Sequence, residues 1–233
     1  NDCGMDFYQR VVDTCLENCI TPWVTLYHWD LPLALEQKGG WTNREILNWF
    51  GEYTDRVSRK LGDRVYHWMI LNEPLVFTGA GYFLGIHAPG WRGMKNFLPA
   101  VHHATLCQAA GGNIVRDNCP KAMVGTTFSC SQVEPNSKTN RDIEATRRAD
   151  ALLNRLFIEP TLGLGYPVDS LPAIRRMEKY MLPGDKDLVQ FDFDFVGLQN
   201  YTREVIRYAR LMPYMHARPV STEKRNVAQT IMG

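Results

Sequence analysis

Several features are scarce in this 233-residue chain, and each scarcity removes a class of protein. Its six cysteines, Cys3, Cys15, Cys19, Cys107, Cys119 and Cys130, form no C-x-x-C pair, so a zinc ribbon or thioredoxin-type site is not expected. Six in a chain of this length make no disulfide scaffold, and reduced, mostly buried thiols are the default reading. No apolar run approaches the roughly 20 residues of a membrane span. Charge of either sign is not in excess: Lys+Arg 26 against Asp+Glu 25 leaves a formal net charge of +1. That balance gives no electrostatic footprint for nucleic acid or an anionic membrane surface, so neither is an expected partner. No basic segment followed by an apolar one opens the chain, so no signal peptide is visible and a cytoplasmic setting is expected. No repeat, low-complexity tract or linker divides it, which points to one domain over 1–233.

What is present alternates between two periodicities. Residues 5–19 read as a helix, with Tyr8, Val11, Val12, Cys15, Leu16 and Cys19 on one face. Trp23 to Tyr27 reads as a strand. Thr42-Asn43-Arg44-Glu45 reads as a capping box ahead of a stripe of Ile46, Trp49, Phe50, Tyr53, Val57 and Leu61, with Gly62 as its C-terminal glycine. A second strand spans Val65 to Leu71. A helix follows over about 96–116, with a break expected at Gly111-Gly112, and a third strand spans Met123 to Phe128. Helices from about Asp142 to Phe157 and from near Ser170, with Pro172 in the first turn, precede a fourth strand, Phe193 to Leu198. A basic, less regular tail ends the chain. Strands separated by amphipathic helices predict a parallel α/β sheet with helices outside.

The chemistry-bearing residues gather where strands end: Tyr27-His28-Trp29-Asp30, Asn72-Glu73, Thr126-Thr127 and Gln199-Asn200-Tyr201. In parallel α/β folds that end carries the active site. In "MILNEPLV" (69–76), the strand stops at an amide and a carboxyl that a core has no use for.

Read together, "TLYHWDLP" (25–32), "GGW" (39–41), "GDRV" (62–65), Trp68 with "NEP" (72–74), and "FVGLQNYT" (195–202) resemble glycoside hydrolase family 1. The resemblance implies a (β/α)8 TIM barrel, of which about four central β/α units are present. It also implies a retaining β-glycosidase, β-glucosidase-like, that cleaves β-linked O-glycosides by double displacement. The segments look like the family's strands 3 to 6. The nucleophile Glu of its E-N-G motif has no counterpart in the chain, which looks like the middle of an enzyme.

By resemblance, Glu73 is the acid/base, and glutamate there rather than glutamine favours O-glycosides. Asn72 meets the sugar 2-OH, His28 and Trp29 line the sugar pocket, and Tyr201 holds the nucleophile carboxylate. Gln199 stands where the family usually has Asn, and still offers an amide to the substrate.

The chemistry agrees on its own terms, because glycoside hydrolysis needs a carboxyl that arrives protonated. Aromatic walls such as Trp68 and Phe77 can raise a carboxyl toward working pH. Out of context Glu73 would be a turn residue before proline, and His28 an ordinary satisfied imidazole; Asp30 reads as a turn residue. His102, His103 and Cys107 share a metal-like spacing, but no further ligand follows at a fixed interval, so no metal and no cofactor are expected. Arg147-Arg148 and Arg175-Arg176 read as solvated faces. His87 and Trp91 in "GIHAPGWRG" (85–93) belong to a catalytic-side loop. The expected partner is a small-molecule or oligosaccharide β-glycoside. Four strands with two open edges also predict self-association. The other reading is a non-catalytic half-barrel that binds carbohydrate or another partner.

Overall fold

The structure, a computed structural model, describes residues 2–221. Its centre is a parallel sheet of β1 (Trp23–Tyr27), β2 (His67–Asn72), β3 (Met123–Ser129) and, beyond the short β4 (Gln132–Pro135), β5 (Phe195–Gln199). The order is β1-β2-β3-β5, with Val24 opposite Trp68, Met69 opposite Gly125 and Thr127 opposite Gly197. These strands lie side by side in chain order, as in a barrel wall rather than a doubly wound sheet.

The helices in chain order are α1 (Asp2–Glu17), α2 (Leu33–Glu36), α3 (Ile46–Leu61), α4 (Pro74–Gly79), α5 (Met94–Asn118), α6 (Asn140–Asp150), α7 (Ile158–Thr161) and α8 (Asp185–Leu188). The 25-residue α5 is the longest of them, and it runs unbroken through Gly111-Gly112, contrary to expectation. The glycines serve packing instead. A Cβ on Gly111 would sit 2.9 Å from both Ile70 and Phe50, and one on Gly112 would sit 2.6 Å from the Phe191 ring. Close approach of backbone to sheet and helix is their use here.

Other expectations fail for equally local reasons. The capping box does not form: Thr42 Oγ1 donates to Gly39 O at 2.7 Å, and α3 begins only at Ile46, after a 3₁₀ turn over Gly40–Thr42. Gly62 is not left-handed (φ −70°) but leaves room for Cys119, whose Sγ would lie 2.1 Å from an added Cβ. On α1 only Val12 of the expected face is buried, while Tyr8, Val11 and Leu16 are exposed. The helix after Thr139 loosens into a π-turn over Ala151–Arg155, and the next is a 3₁₀ segment, Pro172–Tyr180. Only Cys107 and Cys119 of the six thiols are buried; all six are free. The tail up to Val220 is more regular than expected. There β6 (Arg203–Tyr208) and β7 (Ala217–Pro219) join β4 in a second, three-stranded sheet.

The open face of the main sheet carries Trp23, half exposed and stacked 3.9 Å from His67, and Thr25 beside Met69. Leu71, two residues on from Met69, is wholly buried. The β2–β3 register shifts between Met69 and Asn72, which breaks the two-residue alternation.

Helix α5 carries two buried histidines into the core. His103 Nδ1 donates to Trp41 O at 2.9 Å, and burial pushes its pKa down to about 4. His102 Nε2 donates to Asp185 Oδ2 at 2.8 Å, and its Nδ1 accepts from the Tyr166 hydroxyl at 3.0 Å. Burial lowers its pKa as well, against the pull of Asp185. Both groups are depressed, so the unfolded chain binds more protons than the folded one as acid is added. Their contribution is complete above the ordinary histidine value near 6.5 and falls away as pH drops toward about 4. Urea midpoints at pH 7 and pH 4.5 should therefore differ, with the lower pH the weaker. Equal midpoints would show these rings to be protonated in the folded state.

Candidate active site

Strand β2 ends at Asn72, and the chain turns at Glu73 into α4, with Pro74 in its first turn. Proline loses no hydrogen bond there, and it biases the residue before it away from the right-handed helical region. Glu73 adopts φ 44°, ψ 64°, a left-handed conformation uncommon outside glycine. The sheet holds it there: its N–H donates to Thr127 O at 2.9 Å. Glu73 is 5% exposed, and its Oε1 is buried without a hydrogen-bond partner. Burial raises its pKa above the ordinary value. A strained, dry, unpaired carboxyl is placed to carry a proton rather than to cap a turn.

Asn72 is the hub beside it. Its Oδ1 accepts from Thr127 Oγ1 and from Gln199 Nε2, each at 2.9 Å. Two donors on the oxygen fix the amide's orientation, so Nδ2 faces His28 Nε2 at 3.2 Å. That ring nitrogen accepts, which leaves the imidazole proton on Nδ1. The Asn72 carbonyl accepts from Trp29 Nε1 at 2.8 Å, and Trp29 is itself left-handed at φ 81°. The Tyr201 hydroxyl donates to Gln199 Oε1 at 2.7 Å. His28, Trp29, Asn72, Gln199 and Tyr201 thus meet in one hydrogen-bonded chain where β1, β2 and β5 end, with Glu73 next along the backbone. Gln199's extra methylene lets it reach Asn72 and Tyr201 together.

Thr127 is the contributor that sequence reasoning passed over. It was visible only as a polar strand end, and its bond to Asn72 depends on the β2–β3 register that places the two opposite each other. The aromatic wall also differs from expectation. Trp68 lies at the start of β2 and donates to Val65 O. At about 3.3 Å per residue it is roughly 16 Å back along the chain from Glu73. Phe77 belongs to a buried cluster with Tyr27 and Trp41, ring centroids 5.0–5.1 Å apart. In the loop over 85–93, the His87 ring lies 5.8 Å from Trp29, and Trp91 Nε1 donates to Glu36 Oε1 at 2.8 Å. His102 and His103 are engaged away from this site, with Asp185, Tyr166 and Trp41.

Fold and site together define a segment of a parallel (β/α) barrel with a raised-pKa carboxyl at a strand's C-terminal end. Residues 1–231 match the model of glycosyl hydrolase family 1, and the chain belongs to that family. It is 38% identical over its full length to a 1,4-beta-D-glucan glucohydrolase of Thermotoga neapolitana, covering 54% of that protein. The family 1 β-glucosidase structure from Thermotoga maritima superposes with a TM-score of 0.93 at 38% identity, over 100% of this chain and 52% of that one. The same enzyme in complex with deoxynojirimycin gives a TM-score of 0.91, over 100% and 52%. The chain spans about half the length of the curated relatives it matches, and its four β/α units are part of a TIM barrel.

Proposed function

We propose that this chain supplies the acid/base half of a retaining β-glucosidase-like enzyme acting on β-linked O-glycosides. The carrying observation is Glu73, buried with an unpartnered Oε1 and a raised pKa at the end of β2. In that state it protonates the departing glycosidic oxygen and, as carboxylate, then activates the water that releases the sugar. Asn72 offers its Nδ2 to the sugar beside His28, and Trp29 and Tyr201 belong to the same hydrogen-bonded chain. The second carboxyl comes from the half of the barrel that this chain does not span. The double displacement needs the two groups about 5–5.5 Å apart. The relatives bear the names 1,4-beta-D-glucan glucohydrolase and Beta-glucosidase A, which supports a β-glucoside. No helix among the described residues is long and apolar enough to cross a membrane. Six free thiols suit a reducing compartment such as the cytoplasm.

The test joins this chain to the complementary half of the Thermotoga maritima barrel and follows an aryl β-glucoside by proton NMR. The first-formed product should be the β-anomer. An α-anomer, or no turnover from a folded hybrid, would defeat the retaining-enzyme reading. The chain alone should not turn over, and its open sheet edges should make it sediment as a dimer or larger. A monomer whose β-glucoside binding is lost on Asn72→Ala would favour the carbohydrate-binding reading.

A further inference from the structure

A second concave region lies apart from Glu73. A cavity of about 500 Å³ opens between α6, the segment leading into the 3₁₀ turn Pro172–Tyr180, and the β6–β7 hairpin. That size falls within the range of roughly 300–1,000 Å³ usual for small-molecule sites. Glu144, Arg148, Asp169, Tyr208, Tyr214 and His216 are among its lining residues.

Charges of both signs border this cavity without pairing across it. Glu144 is tied to Arg147 instead, at 2.6 Å. Arg148 gives its Nε to Met215 O at 2.5 Å, and among the described residues its two terminal nitrogens have no acceptor. The Asp169 carboxylate and the Tyr208 and Tyr214 hydroxyls likewise have no hydrogen-bond partner among them. His216 Nδ1 donates to Arg210 O at 3.0 Å, so its Nε2 is an acceptor. The hairpin is held in an unusual shape to present these groups. Tyr214 (φ 63°) and His216 (φ 44°) are both left-handed, a conformation that persists outside glycine only where the surroundings impose it. Here they do: Ala209 N–H donates to His216 O at 3.0 Å, His216 N–H to Met212 O at 3.1 Å, and the Tyr214 ring packs against Phe83.

We propose that this cavity is a saccharide-binding site separate from the Glu73 pocket. A sugar hydroxyl both donates and accepts, so one ring can satisfy a guanidinium and a carboxylate that do not reach each other. Tyrosine rings offer a surface to its C–H face. One guanidinium against two carboxylates argues against phosphate or acidic ligands, and charged and hydroxyl groups interspersed with the Pro172, Ala173 and tyrosine surfaces suit a polar ring better than an acyl chain. The ligand is a neutral sugar unit, either free or part of an oligosaccharide.

Every lining residue named above belongs to this chain, so the chain as it stands can be tested. It is titrated with glucose and with cellotetraose, observed by saturation-transfer NMR and calorimetry. Saturable binding is expected, tighter for cellotetraose if the site holds a longer glycan and equal if it takes a free sugar. Asp169→Asn and Tyr214→Ala should each weaken it by about tenfold, the ratio that 1.4 kcal/mol represents. Asn72→Ala should leave it unchanged. Asp169 is exposed, so its variant tests the site even if Tyr214→Ala disturbs the hairpin. No saturable binding of either sugar would overturn the proposal. So would binding that Asn72→Ala abolishes and Asp169→Asn spares, which would place the sugar at Glu73 instead. Neither outcome depends on whether the completed barrel hydrolyses glycosides.

Discussion

In a barrel completed by the missing half, Glu73→Gln should lower hydrolysis of glycosides with poor leaving groups by about 10²–10⁴-fold, the usual worth of general acid–base assistance. Glycosyl transfer from an activated aryl glycoside should be largely spared, because a leaving group that departs without a proton has little need of Glu73. The amide keeps the size of the side chain and removes only the proton. Its effect therefore reads chemistry rather than packing, even at a residue that is 5% exposed and left-handed. The Glu73→Ala enzyme should recover its second step when azide is added, and the product should be the β-azide. Pre-steady-state kinetics on a pair of substrates that differ in leaving-group pKa provides the measurement. Equal loss on both, without azide rescue, would falsify the assignment of Glu73 as acid/base.

A comparably large effect on stability is expected at Asp185, far along the chain from that site. Arg44 grips this carboxylate with two bonds, 2.6 and 2.8 Å, while His102 and the Leu182 N–H each donate to it at 2.8 Å. Burial pushes the carboxyl's pKa up, but those four donors outweigh it and hold the group well below the usual carboxylate range. The cluster ties the start of α3, the middle of α5 and the start of α8 together. Asp185→Asn removes the charge and leaves Arg44 and His102 facing a neutral amide. The cost should be about 3 kcal/mol, the low end for breaking a buried pair, because the Arg44 side chain keeps 31% of its exposure to water. Urea unfolding reads it directly as a lower midpoint with an unchanged slope. A loss below about 1 kcal/mol would mean that the cluster acts as an ordinary surface pair. The depressed pKa adds acid sensitivity of the same sign as the buried histidines. Its contribution is present above the unfolded carboxylate value near 3.9 and is lost as pH falls toward the folded one.

The periodicity of the chain determined the class of fold, because a strand's two-residue alternation and a helix's apolar stripe are local properties. Strands β1, β2, β3 and β5 were legible to within two residues at either end, as was the long helix α5; the apolar stripe of α3 was legible too, but not its start. The candidate site was legible for a related reason: Asn72 and Glu73 interrupt an apolar strand at its end, where a parallel barrel gathers its chemistry. What the sequence left open were features that depend on a partner distant in the chain. Gly111, Gly112 and Gly62 read as breaks or caps, yet they are glycines because Ile70, Phe50, Phe191 and Cys119 approach too closely for a Cβ. Thr127 gained its role from register. Only the tertiary structure decided Asn72's amide orientation and His28's tautomer, since both follow from donors supplied by strands more than 50 residues away. Tertiary packing, too, folded the tail into a second sheet, because β6 finds its parallel partner in β4, about 70 residues earlier. A side chain's neighbours along the chain set its secondary structure, but its chemistry is set by what the fold brings against it.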